Sequence, residues 1–260
     1  MDLFQAIVIA VVEGITEYLP ISSTGHMIIT SSLMGIHTDE FTKLYEVAIQ
    51  LGAIFAAVVY YWQKFFDFKN LRFYVKLLVA VIPALVLGKI FAEKIDLLLE
   101  STLTVAISLL IGGVVLLFID RFFKEYTIDE EAGITNRKAI MIGLWQCLAM
   151  VPGVSRSGAS IIGGMQQKLS RRLAAEFSFF LAVPTMCAAT GYKILKNYDA
   201  FDRDAVILLL VGNAVAFVVA LLAIKFFIAF LQKHGFKAFG WYRIVLGIIL
   251  LVLLQSGYLK

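Results

Sequence analysis

Six apolar segments of the chain are long enough to cross a membrane as helices, and polar or charged residues bound each of them. They cover approximately residues 45–63, 73–92, 102–120, 174–193, 205–231 and 240–258. A bilayer core requires about 20 apolar residues in a helix, and the segments lack the apolar–polar alternation of membrane-barrel strands. The pattern therefore predicts an all-α polytopic membrane protein with six full transmembrane helices.

Four shorter apolar pieces form two pairs, each interrupted at a proline. The pairs are 3–19 and 27–35, separated by Pro20, and 139–151 and 157–168, separated by Pro152. Proline ends a helix because it lacks an amide donor and clashes with the preceding turn. Broken backbone at membrane depth is tolerated only where it lines protein or a water-filled cavity. We therefore predict two re-entrant helical hairpins.

Both halves of the chain have the same order of segments, one hairpin followed by three crossings. The bend Pro20-Ile-Ser-Ser-Thr-Gly25 aligns with Pro152-Gly-Val-Ser-Arg-Ser-Gly158 after one inserted glycine. Because three crossings are an odd number, the second half must enter the membrane from the opposite side. This predicts a single integral membrane domain, 1–260, built as an inverted-topology repeat of halves 1–122 and 137–258, with the broken helices near the midplane.

Composition and charge placement agree with this membrane assignment. Of the 260 residues 60% are hydrophobic and 16% are charged, with a mean hydropathy of +0.87, whereas about a quarter of residues are charged in soluble domains. The net charge of +4 then reports topology, and nucleic acid is not an expected partner. With the N-terminus outside, 15 lysines and arginines face the cytoplasm and 7 face outward, which leaves Arg156 at the second bend. We expect both termini to lie outside.

Glu13 and Glu17 are four residues apart, so they share one face of a helix. Two adjacent carboxylates in a low dielectric cannot both ionise cheaply. A divalent cation, a shared proton or a nearby arginine would relieve the repulsion, although Glu13 as a simple hydrogen-bonding partner of a neighbouring helix is the alternative. Ionisable groups at membrane depth are costly and mark functional sites, so we predict a functional pair.

Three hydroxyl residues, Ser22, Ser23 and Thr24, follow the first proline where a helix should begin. Hydroxyls at this position ordinarily cap backbone donors. His26 stands three residues beyond Ser23, one helical turn away, from where an imidazole could deprotonate a hydroxyl. We therefore predict nucleophilic chemistry at Ser23 and His26, and substrate binding by Ser22 and Thr24 together with Ser155 and Ser157 of the second bend, with capping as the structural alternative.

Arg156 lies between Ser155 and Ser157, behind the Pro-Gly bend, at a predicted helix N-terminus. Arginine stays charged, its planar fork matches phosphate oxygens, and helix N-termini favour anions. An ion pair between Arg156 and Glu13 or Glu17 would fasten the two halves and is compatible with a ligand role. Together the residues predict a phosphorylated ligand in the membrane.

The stretch from Glu13 to His26, Glu-Gly-Ile-Thr-Glu-Tyr-Leu-Pro-Ile-Ser-Ser-Thr-Gly-His, with Pro-Gly-Val-Ser-Arg-Ser-Gly-Ala downstream, resembles undecaprenyl-diphosphate phosphatase, the bacitracin-resistance protein. The second motif of that family usually ends in threonine, where this chain has Ser160, which retains the hydroxyl.

The resemblance implies hydrolysis of undecaprenyl diphosphate, a polyisoprenyl diphosphate lipid, to the monophosphate carrier for peptidoglycan synthesis. It also implies a divalent cation, Mg²⁺ or Ca²⁺, on Glu13 and Glu17, and a pocket toward the outer face of the bacterial plasma membrane. By position it makes Ser23 the nucleophile, His26 the catalytic histidine and Arg156 the phosphate-binding arginine.

A lipid transporter is the rival interpretation, because inverted repeats with broken helices are common in secondary transporters. A transporter needs no nucleophile, so Ser23 beside His26 favours the enzyme. The residues leave open whether Ser23 or His26 attacks, which metal binds, whether the lipid is also flipped, which isoprenoid length is preferred and whether the protein is a homo-oligomer.

Overall fold

The computed structural model describes residues 1–99, 101–196 and 203–257, where helices are joined by turns and loops and the β-structure is limited to an isolated parallel bridge between Ile128 and Leu169. Its α-helices are α1 (Leu3–Thr16), α2 (Ser23–Leu33), α3 (Glu40–Ala48), α4 (Gln50–Tyr60), α5 (Trp62–Phe65), α6 (Leu71–Ile90), α7 (Ala92–Leu99), α8 (Thr102–Phe122), α9 (Asn136–Gln146), α10 (Arg156–Gln166), α11 (Arg171–Lys196), α12 (Arg203–His234) and α13 (Lys237–Gln255). Two short 3₁₀ helices cover Glu131–Gly133 and Cys147–Met150.

Six of these segments are long and apolar enough to cross a membrane, which confirms the predicted number of crossings for the described residues. They are Glu40–Tyr60, Leu71–Ile90, Thr102–Phe122, Arg171–Lys196, Arg203–His234 and Lys237–Gln255. The first consists of α3 and α4, which are separated at Ile49. Residue 258, the predicted end of the last crossing, lies outside the described residues.

The short helices α1 and α9 each pack against a long helix of the other half. Gly14 of α1 lies against the backbone of α12 at Ala216, and Gly143 of α9 lies against the backbone of α6 at Ala80. Glycine permits such close approach because it has no Cβ, and small residues are typical of helix contacts in membranes. The two halves are therefore intertwined rather than side by side.

An aromatic cluster supports the first bend from inside the protein. Tyr18 donates a hydrogen bond to the Ala53 carbonyl at 2.7 Å, and its ring meets Phe179 edge-on with centroids 4.7 Å apart. Phe179 in turn contacts Phe227 of α12, and Phe180 contacts Phe73 of α6. Edge-to-face pairs contribute about 0.5–1.5 kcal/mol beyond area burial. Helix α11 thus connects the first bend to helices of both halves.

Candidate active site

The two bends have the same local structure. Ser22 precedes α2 with a φ of 72°, and Ser155 precedes α10 with a φ of 77°. Each serine Oγ accepts a hydrogen bond from the backbone amide three residues on, Gly25 at 3.2 Å and Gly158 at 3.1 Å. Left-handed backbone costs a residue other than glycine about 1–3 kcal/mol and persists where the surroundings enforce it. The surrounding structure therefore holds both bends in the same strained shape.

The two bends contact each other directly. The Ser157 hydroxyl donates to the Leu19 carbonyl at 2.8 Å, across the boundary between the halves. Gly158 faces Pro20 so closely that an added Cβ would lie 3.6 Å from the proline Cβ. The residues that follow the bends, at the starts of α2 and α10, are consequently brought to one place.

Glu17 is the residue on which the two halves converge. Its Oε1 accepts from Arg156 Nη2 at 2.5 Å, and its Oε2 accepts from the Ser23 hydroxyl at 2.5 Å. Arg156 also donates through Nη1 to the Ser178 carbonyl at 3.0 Å, whereas its buried Nε has no hydrogen-bond partner in the described structure. Charge-assisted bonds such as these are short and strong. The nucleophile candidate and the anion-binding candidate therefore share one carboxylate.

A cavity of about 190 Å³ opens beside this group. Its polar wall contains Glu17, Ser22, Ser23, Thr24, Gln50, Ser155 and Arg156. Its apolar wall contains Ile95, Leu99, Ala149, Met150, Val151 and Met186, together with Pro152 and Gly153 of the second bend. One side thus suits an anion and the other suits a hydrocarbon chain. A second depression, of about 380 Å³ between Thr135 and Gln167, contains none of the predicted site residues.

Glu13 is fully buried, and neither of its carboxylate oxygens has a hydrogen-bond partner among the described residues. Burying a carboxylate without a partner is costly, so a proton or a cation is expected to accompany it. Glu13 lies one turn before Glu17 on the same face, and hard cations prefer such oxygen donors. The described residues contain no group of three or more potential side-chain ligands, so a cation here would also need oxygens from substrate, hydroxyl or water. The acidic pair fits a divalent cation held together with a phosphate ligand.

Known proteins resemble this chain along nearly its whole length. The family model described as bacitracin resistance protein BacA matches residues 6–249. The chain belongs to the BacA family. A Flavobacterium psychrophilum protein named undecaprenyl-diphosphatase is 60% identical over 97% of this chain and 96% of its own length. Proteins of the same name from Bdellovibrio bacteriovorus and Aquifex aeolicus are 50% and 41% identical, over 99% and 96% of this chain and 98% and 97% of their own.

His26 of this BacA-family chain faces away from Ser23. Its Nδ1 lies 2.7 Å from the Ser22 carbonyl, which can only accept, so Nδ1 carries a proton and donates. Its Nε2 lies 2.8 Å from the Tyr242 hydroxyl, and the two rings stack with centroids 5.6 Å apart. The expected contact between imidazole and the Ser23 hydroxyl is absent, because the backbone of α2 turns His26 toward α13. Glu17 makes that contact instead.

The serines of the second bend divide into two groups in this BacA-family protein. Ser155 lines the cavity. Ser157, a residue 1% exposed, does not line it, because its hydroxyl donates a hydrogen bond to the Leu19 carbonyl of the first bend. Ser160 bonds to the Ser178 hydroxyl at 2.7 Å and so fixes α10 on α11. Of these three, only Ser155 is placed to meet a ligand.

Two residues at the site were missed by the sequence analysis. Tyr242 lies near the start of the last predicted crossing, where tyrosine typically anchors a helix at the membrane interface, and Arg243 is one of the 15 basic residues that the charge count assigns to the cytoplasmic side. Arg243 is instead 1% exposed and donates to backbone carbonyls of both bends, so its placement at the cytoplasmic surface was wrong. The signal was an arginine inside the apolar sequence of α13, where charge is costly and marks function.

Proposed function

We propose that this BacA-family protein is a membrane phosphatase that hydrolyses undecaprenyl diphosphate to undecaprenyl phosphate and inorganic phosphate. The observation that carries the proposal is the Glu17 carboxylate, bonded at once to Arg156 and to the Ser23 hydroxyl. A hydroxyl that donates to a buried carboxylate is poised to lose its proton, and an arginine beside it can hold the phosphate that the hydroxyl attacks. The names of the relatives supply the substrate.

Binding of the diphosphate would begin with Arg156. Its unpartnered Nε and the fork of its guanidinium are available to phosphate oxygens once the anion displaces part of the bond to Glu17. The backbone amides at the starts of α2 and α10 add partial positive charge at the same place. These donors stabilise the charge that develops on the terminal phosphate as its bond breaks.

Bond cleavage then follows from the contact between Ser23 and Glu17. As Glu17 accepts the hydroxyl proton, the Ser23 oxygen bonds to the terminal phosphorus, and the bond from that phosphorus to the bridging oxygen breaks. Undecaprenyl phosphate leaves with the bridging oxygen. Water next attacks the phosphoserine and releases inorganic phosphate, and the proton on Glu17 is returned to Ser23. General base catalysis of this kind contributes about 10²–10⁴-fold.

Glu13 and Glu17 would hold the divalent cation, Mg²⁺ or Ca²⁺, that the family resemblance implies. When bound, such a cation supplies Lewis-acid stabilisation of phosphate oxygens. The orphaned oxygens of Glu13 support this assignment, because the described protein offers them no other partner.

His26 is assigned an orienting role in this mechanism. Its Nδ1 proton fixes the Ser22 carbonyl, next to the nucleophile, and its Nε2 is bonded to Tyr242. Attack by His26 itself would require the ring to leave both partners. The geometry therefore favours Ser23 as the nucleophile.

The site is proposed to lie within the membrane, in an inverted repeat with two re-entrant hairpins. The helices of the proposed hairpins, α1, α2, α9 and α10, have 14, 11, 11 and 11 residues, too few to span a bilayer core. The matched bends and the exchanged packing of α1 and α9 support the repeat. An opening at the outer face of the bacterial plasma membrane, with both termini outside, follows from the distribution of basic residues. The product would re-enter peptidoglycan synthesis, and such recycling would confer bacitracin resistance.

The proposal is tested by phosphate release from undecaprenyl diphosphate by purified protein in detergent, where transport has no readout. We expect release by the wild type and a loss of about 100-fold in Arg156→Lys, because lysine cannot reproduce the planar fork. Arg171→Lys is the matched control. Arg171 forms an ion pair with Asp120, with 2.7 Å between Nε and Oδ1, and neither residue lines the cavity. Absence of release by folded wild-type protein would reject the phosphatase.

A further inference from the structure

Arg243 is a buried cation whose partners are all backbone carbonyls. Its five N–H groups donate to Pro20 at 3.1 Å, Val154 at 3.0 Å, Gly153 at 2.8 Å, Ser108 at 3.0 Å and Leu109 at 3.4 Å. Arginine has five such donors, so its hydrogen-bonding capacity is fully used. No carboxylate of the described residues lies within 4.0 Å of the guanidinium.

Burial of the Arg243 guanidinium without a carboxylate partner among the described residues destabilises the folded protein. Removing a charge from water carries a large penalty, which carbonyl dipoles offset only in part. A hydrophobic residue on α13 would cost less if the position served packing alone. The residues bonded to Arg243 indicate what the charge is for.

The carbonyls that accept from Arg243 belong to the two bends and to α8. Pro20 lies two residues before Ser22, and Val154 lies directly before Ser155, the two serines with positive φ. Ser108 and Leu109 belong to α8, which packs along α13. One guanidinium thus ties both strained turns to the same pair of helices.

We propose that Arg243 is a positioning residue that sets the distance between the two bends, and thereby between Ser23 and Arg156, before substrate binds. Arg243 acts through the backbone and has no place among the residues that line the cavity. The inference rests on the proposed phosphatase function and extends it to a residue outside the cavity. Because misplacement of reacting groups by about 1 Å can cost 100-fold in rate, loss of this tie should appear in kcat.

The chain offers two independent ways to disturb the tie. Arg243→Lys keeps the charge but presents at most three donors from one point, so it cannot serve all five carbonyls. Gly112→Ala keeps the arginine and displaces it, because a Cβ at Gly112 would overlap the guanidinium. Gly191→Ala is the matched control, since an added Cβ on that helical glycine meets no atom within 4 Å.

The test combines kinetics with hydrogen–deuterium exchange on the purified proteins in detergent. For Arg243→Lys and Gly112→Ala we expect kcat to fall about 100-fold with KM for undecaprenyl diphosphate within about 3-fold, since the phosphate ligands remain. Amides of residues 18–25 and 151–158 should exchange about 10-fold faster, while the middle of α11 keeps its protection. Gly191→Ala should change neither quantity.

The outcomes separate this inference from the proposed function. Unchanged exchange at both bends in a folded Arg243→Lys protein would overturn the inference, and so would an unchanged kcat. Faster exchange at the bends with a loss of stability but full kcat per folded molecule would reduce Arg243 to a structural residue and also overturn it. If the wild type releases no phosphate, the proposed function fails, while the exchange comparison still decides whether Arg243 holds the bends. If Arg243→Lys does not fold, both kcat and hydrogen–deuterium exchange at the bends are measured on Gly112→Ala.

Discussion

Replacement of Glu17 by glutamine separates the chemistry of the site from its assembly. The amide has nearly the same shape as the carboxylate, and its oxygen can still accept from Arg156 Nη2. Its NH₂ group, however, cannot accept the proton that the Ser23 hydroxyl now donates to Oε2. The variant therefore keeps the connection between the halves in a weaker form and removes the proton acceptor.

The structure sets the expected magnitudes. Loss of a general base lowers the rate by about 10²–10⁴-fold, or about 3–5 kcal/mol of transition-state stabilisation. A hydrogen bond to a charged group contributes about 1.5–3 kcal/mol and a neutral one about 1 kcal/mol. Glu17→Gln should therefore lower the free energy of unfolding by about 1–2 kcal/mol through the weakened bond to Arg156. The rate should fall far more than the stability.

The assay is phosphate release from undecaprenyl diphosphate in detergent, well below the midpoint of thermal unfolding, with the midpoint measured on the same preparation. Glu40→Gln is the control, because this substitution removes the same charge from a side chain on α3 that is 92% exposed. It should retain the wild-type rate within about 2-fold, as surface changes usually do. A folded Glu17→Gln protein with more than about a tenth of the wild-type rate would refute Glu17 as the proton acceptor.

Further predictions concern the neighbouring groups. Ser23→Ala should abolish turnover, and rapid quenching of the wild type should trap phosphate on Ser23; a phosphohistidine at His26 would contradict the mechanism. Tyr242→Phe should lower kcat about 10-fold while KM stays constant, because the imidazole loses one of two hydrogen bonds worth about 1 kcal/mol each; an unchanged kcat would show that Tyr242 only fills space. Chelation should abolish wild-type activity and added Mg²⁺ or Ca²⁺ should restore it, whereas Glu13→Gln should stay inactive after the same addition; restoration in that variant would remove Glu13 as a ligand.

Much of this architecture could be predicted because it depends on local sequence. The six crossings follow from the length of apolar segments, and the helix breaks follow from Pro20 and Pro152. An ion pair of Arg156 with Glu13 or Glu17 was the structural alternative to a ligand role, and the structure contains it with Glu17, a choice that depends on how the bends meet. Spacing along the chain does not determine how two bends meet across about 140 residues.

The roles of His26, Tyr242 and Arg243 could not be predicted in the same way. Helix α13 is apolar on nearly all sides, so its hydropathy pattern does not indicate which face turns inward. Charge counts place a residue by its distance from the ends of a span, which assigned Arg243 to the membrane surface. Helical spacing alone indicated a contact between His26 and Ser23, whereas the imidazole is hydrogen-bonded to the Ser22 carbonyl and, across 216 residues of sequence, to the Tyr242 hydroxyl.

The equivalence of the bends explains why one carboxylate serves both halves. Ser23 and Arg156 occupy the same place in the two motifs, the first helical residue after a serine cap with positive φ. The same serine-capped turn, present at both bends, therefore directs Ser23 of the first half and Arg156 of the second half toward Glu17. Glu17, three residues before Pro20, corresponds to Ala149, three residues before Pro152, and both line the cavity. Only the first half has an acid at this position, so the single carboxylate of Glu17 contacts both Ser23 and Arg156.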